Sequence, residues 1–183
     1  MSTAFTSLVQ LKQALKEMSV KTGIHPVHGH INDWDVSQMT DMSHLFNRRD
    51  FYNFNQPLDR WIVSRVTKMN SMFANCVSFN QPLNDWKVGS VVNFYGMFAN
   101  CTAFNQPLDR WTTDNAENMN DMFYKCTSFN QSVSNWNVSH VKYMESMFFG
   151  CKSFRQKIRW TQMRDRVLRD RMFEGSHGSL LGS

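Results

Sequence analysis

No apolar run in these 183 residues approaches the ~20 that a membrane-spanning helix needs. The opening residues 1–7 carry no basic stretch. The segment after them is broken by Gln10, Lys12, Gln13, Lys16 and Glu17, so the chain as written shows no secretory leader. No cysteine precedes Cys76, which leaves no N-terminal site for a lipid anchor. These lacks predict a protein of the cell interior or of an assembled particle, rather than of the cell surface. There is no Gly-rich loop to cradle phosphate and no Gly-x-Ser-x-Gly elbow, so catalysis has no foothold. Cys126 beside Lys125 is the one pairing that suggests an activated thiol, and its siblings share its position. A non-enzymatic protein without cofactor or metal is expected. Charge imbalance is absent too, except at one end. Residues 1–151 hold 12 Lys/Arg and 12 Asp/Glu, while 152–171 hold eight basic residues against Asp165 and Asp170.

What the chain does have is a repeat. Met72-Phe73-Ala74-Asn75-Cys76 through Leu83 returns as Met97 to Leu108, again as Met122 to Val133, and in altered form as Met147 to Ile158. Cys76, Cys101, Cys126 and Cys151 stand 25 residues apart, and Trp61, Trp86, Trp111 and Trp136 keep the same step. A fixed period of this length marks a stack of supersecondary units. Trp34-Asp35-Val36-Ser37 sets the phase of a first unit two residues longer than the rest, and Trp160 closes the series. The four cysteines occupy one repeat position. Stacked chains lie about 4.7–4.9 Å apart, within reach of a disulfide, yet free cysteine is a small buried hydrophobe. Reduced core thiols are therefore expected. Zinc needs convergent ligands, which a linear ladder does not offer.

Each unit can be read residue by residue. Ser37, Ser64, Gly89, Asp114 and Ser139 stand three residues after a tryptophan and are favourable helix N-caps. Val66, Met69, Phe73 and Cys76 follow as one helical stripe. Asn75, Asn100 and Gly150 suit the left-handed end of a helix, and Lys125 is the exception. This predicts a helix of roughly ten residues per unit, over about 65–74 in the clearest copy. The remainder, with Phe79 and Leu83 inward, returns as a short parallel strand, and Pro57, Pro82 and Pro107 mark its end. Asn80, Asn105 and Asn130 would form a ladder along the stack. Residues 6–18 read as an amphipathic helix opened by a Ser7–Gln10 capping box, a fit cap for the first unit. His25, His28 and His30 sit in a Pro/Gly-rich connector, read as solvated in preference to metal-binding. Residues 1–33 are thus a cap helix and loop, and 34–159 five repeats. Residues 160–183 form a basic cap helix, with a flexible tail beyond Glu174.

The pattern Val-Thr-x-Met-x-x-Met-Phe-x-x-Cys-x-x-Phe-Asn-Gln-Pro-Leu-x-x-Trp, carried over residues 31–160, resembles the BspA-like leucine-rich-repeat surface proteins. More narrowly it is similar to the repeat domain of unknown function found in mycoplasma lipoproteins. The resemblance implies an α/β, leucine-rich-repeat-like solenoid and a role in adhesion or protein binding, and it brings no catalytic residues. The expected function is a protein-interaction scaffold, as one subunit of a larger assembly or alone. Its expected surface includes Asn80, Asn105, Asn130, Thr102, Thr127 and Lys152. The alternatives are a cell-surface adhesin and, through Arg159, Arg164, Arg166, Arg169 and Arg171, a binder of nucleic acid or of an acidic partner.

Overall fold

Ser7 opens helix α1 (Leu8–Glu17) in the computed structural model, which describes residues 4–181. Its Oγ accepts the Gln10 N–H at 3.3 Å, while Gln10 Oε1 accepts the Thr6 N–H at 3.2 Å. The cap is therefore reciprocal but closes one residue earlier than a standard box. Leu11, Ala14 and Leu15 on its inner face join the core with Ile31 and Trp34. A tight antiparallel hairpin follows, β1 (Ile24–His25) with β2 (Gly29–His30). Contrary to the expected solvated loop, His25 is only 3% exposed. Its Nδ1 accepts the N–H groups of Val27 and His28 at 2.9 and 3.0 Å, so the ring is drawn inward to close the turn.

From Trp34 onward the chain winds in coils laid one on the next. Asp41, Lys68, Asn93, Asn118, Tyr143 and Leu168 pair in parallel in a single file, one residue per coil. The helix expected within each repeat does not form. Over residues 63–76 the bonds are i→i+3 turns, Val66 N–H to Val63, Met72 to Met69, Ala74 to Ser71 and Cys76 to Phe73. The N–H groups of Met69, Ser71, Phe73 and Asn75 instead leave the coil. They meet the carbonyls of Asn93, Tyr95, Met97 and Ala99 at 2.7–3.0 Å. A helix needs those N–H groups for carbonyls four residues back, and negative φ throughout. Ser71 and Asn75 hold φ of 53° and 68°, and Gly96/Asn100, Asp121/Lys125 and Ser146/Gly150 repeat the pair. Bonding between coils has displaced bonding within them.

The expected return strand is reduced in the same way. Among the described residues only β3 (Lys157–Ile158) and β4 (Ser179–Leu180) pair as strands in this part of the chain, in parallel. The C-terminal cap helix does not form either. Residues 160–181 run as a sixth coil in which Trp160, Val167 and Met172 are buried. Its turns place the carbonyls of Leu168, Asp170, Met172 and Glu174 against the N–H groups of the fifth coil, which a helix would not do. The tail expected to be flexible carries β4, while residues 182–183 lie outside the described part.

The core is a set of columns. Phe46, Phe73, Phe98, Phe123, Phe148 and Phe173 stack with centroids 5.2–5.6 Å apart and planes within 9°. Phe54, Phe79, Phe104, Phe129 and Phe154 form a second column at 5.9–6.0 Å. Offset stacking of this kind adds to simple area burial.

Candidate interaction surfaces

The thiols are spent inside. Sγ of Cys76, Cys101, Cys126 and Cys151 donates to the carbonyl of Phe46, Phe73, Phe98 and Phe123, at 2.8–3.5 Å. Burial pushes all four up, Cys151 to about 12, so none is a nucleophile near neutral pH. The indole N–H of Trp61, Trp86, Trp111, Trp136 and Trp160 likewise donates to a carbonyl just over one turn back, those of Ile31, Leu58, Leu83, Leu108 and Val133.

The asparagine ladder is equally occupied. Oδ1 of Asn55, Asn80, Asn105 and Asn130 accepts the backbone N–H one coil on, each at 2.9 Å. Nε2 of Gln81, Gln106, Gln131 and Gln156 donates to the same asparagines. Asn80, Asn105 and Asn130 are thus half-buried struts between coils. Thr102 and Thr127 donate to Val77 and Thr102 carbonyls as a parallel strut. With Lys152 they do come together, lining an open groove of about 430 Å³ that also touches Lys125 and Phe149.

The five arginines all lie exposed on the sixth coil or its approach, on turns and not along one helix face. Arg171 is paired with Glu174 at 2.7 Å and lies over the Phe149 ring at 4.6 Å. Arg164 and Arg169 line one end cleft with Asp165, and Arg169 and Arg171 line the next. Arg159 and Arg166 line neither.

The face along the file of parallel pairs from Asp41 to Leu168, the ladder face, was not among the expected surfaces. Between the inward residues Val66, Met69 and Met72, and their counterparts in each coil, stand outward positions whose chemistry changes. One column runs Lys68, Asn93, Asn118, Tyr143, Leu168, and a second runs Asn70, Tyr95, Asn120, Glu145, Asp170. Tyr95, Tyr143 and Leu168 are 43%, 40% and 51% exposed, and Val92 lies open beside them. Glu117 and Lys142 form an ion pair across this face at 2.8 Å. The signal lay in apolar residues standing out of phase with the core. Reading the segment as a helix wrapped them around a cylinder and hid the column.

Among the described residues no three His, Cys, Asp or Glu converge as a metal site. No helix there is long and apolar enough to cross a membrane. A family model described as Mycoplasma protein of unknown function, DUF285, matches residues 9–135 and again 90–179. No curated protein and no solved structure matches the chain.

Proposed function

We propose that this chain, which belongs to the Mycoplasma protein family of unknown function DUF285, is a non-enzymatic scaffold that binds a protein partner along its ladder face. The observation that carries the reading is a contrast along the stack. The backbone register and the inner columns repeat, while the outward ladder positions differ from coil to coil and expose Tyr95, Tyr143 and Leu168. A repeating frame with variable outward residues is how stacked-repeat proteins build specific binding surfaces. Tyrosine brings large area at low entropic cost and is enriched at interfaces. We read the architecture as a solenoid of the leucine-rich-repeat kind, close to the BspA-like repeats that its Met-Phe-x-x-Cys and Phe-Asn-Gln-Pro-Leu motifs resemble.

The test is quantitative capture from source-cell lysate with the wild type, a Tyr95→Ala/Tyr143→Ala/Leu168→Ala variant, and a control variant, Tyr52→Ala/Ile62→Ala, altered at exposed apolar residues off the ladder. A partner depleted at least ~10-fold by the ladder variant, as expected when anchors worth 1–2 kcal/mol each are lost, and kept by the control supports the reading. Equal capture by all three would refute it.

A further inference from the structure

The two ends of the stack are built differently. At the first coil α1 lies over the core, burying Leu11 and Leu15. At the sixth coil Met163, Phe173 and Leu180 are left only partly covered. The backbone edge there is open as well. In the fifth coil the N–H groups of Met144, Ser146, Phe148 and Gly150 meet carbonyls of the coil above at 2.7–2.9 Å. Their counterparts in the sixth are Arg169, Arg171, Phe173 and Gly175. Among the described residues, no backbone or side-chain acceptor meets these four N–H groups. Arg171 and Gly175 keep φ of 56° and 72°, so the edge already holds the left-handed corners that the lower coils use for pairing. Two adjoining clefts of about 340 Å³ each run beside it and share Arg169 and Leu180.

We infer that this edge receives an acidic polypeptide segment from a partner protein. What each lower coil places on such a row is a turned chain whose every second carbonyl faces it, and a partner segment that follows the same turns supplies that spacing. The charge of the site selects the side chains. Arg164 and Arg169 outnumber Asp165 in the first cleft, and Glu174 in the second is already paired with Arg171, so the segment's carboxylates lie against Arg164 and Arg169 while its apolar residues cover Met163 and Leu180. A second copy of this chain is the poorer occupant, because α1 covers the end that would have to stack here. A nucleic acid would use the arginines but leave the N–H row unmatched.

The experiment titrates a fluorescein-labelled peptide of alternating Glu and Val into the full chain. A Lys/Val peptide and oligothymidylate serve as controls, and amide exchange is followed by NMR. The acidic peptide should bind and slow exchange of the Arg169, Arg171, Phe173 and Gly175 amides by about tenfold or more, as pairing of an open edge does. Arg164→Glu/Arg169→Glu should weaken it by more than about tenfold, the scale of a single lost charge-assisted contact, with the melting midpoint unchanged. Binding without protection of those four amides, tighter binding of oligothymidylate, or peptide-independent self-association in sedimentation would each overturn the inference.

Discussion

Asp121 shows what stacking asks of single residues. It stands at a left-handed corner with φ of 55°. Burial first, and the neighbouring Glu145 carboxylate after it, hold its carboxyl above the usual aspartate value despite the opposing Tyr95 hydroxyl. A folded-state value raised above the unfolded one means that the ionised form costs stability at neutral pH. That cost fades as the pH falls through the raised value. Asparagine tolerates the left-handed conformation and carries no charge. Asp121→Asn should therefore raise the thermal midpoint at neutral pH, and the gain should vanish below the ordinary aspartate range, at about pH 4; a gain that persists there would contradict this origin. The corner residues were partly legible. Asn75, Asn100 and Gly150 announced left-handed backbone by their type, whereas Lys125 takes φ of 56° although nothing in its chemistry says so. Its corner is imposed by the coils on either side, whose hydrogen bonds leave no other path.

At the scale of the element, the unit is one coil and its bond is with its neighbours. Phe98 lies 5.6 Å from Phe73 and from Phe123, and 4.2 Å from Phe104 within its own coil. Phe98→Ala should cost about 3–5 kcal/mol, the usual loss for a buried phenylalanine in a close-packed core, measured by urea denaturation. Because contacts run only between adjacent coils, amide exchange should rise first in the coils of Phe73, Phe98 and Phe123, and last near α1. Uniform acceleration along the chain would mean that the stack unfolds as one unit. The period and the inward columns were readable from the residues. The helix was misread because Val66, Met69 and Phe73 fit helical spacing as well as they fit a coil that turns inward at those points. Periodicity over so short a stretch does not separate the two.

For the whole molecule the decisive features are the ends. Leu11 and Leu15 seal the first coil. Leu11→Asp with Leu15→Asp would put two unpaired charges into the buried core, a change of several kcal/mol by the usual cost of uncompensated buried charge. The expected result is a sharply lowered melting midpoint with concentration-dependent association, seen by light scattering. An unchanged midpoint would show that the stack does not depend on its cap.

The sequence by itself determined the register of this protein. The 25-residue step, the inward Phe, Trp, Met and Cys columns, the asparagine ladder and the α1 cap with its Ser7 start are all carried by side-chain identity at fixed spacing. Only the tertiary structure decided how the backbone runs between those points. Which N–H groups bond within a coil and which bond between coils depends on the coil above being present, and no local preference encodes it. For the same reason only the structure showed that Tyr95, Tyr143 and Leu168 stand outward on one face, and that residues 160–181 form a sixth coil. That coil's basic edge is left open because among the described residues no further coil lies above it.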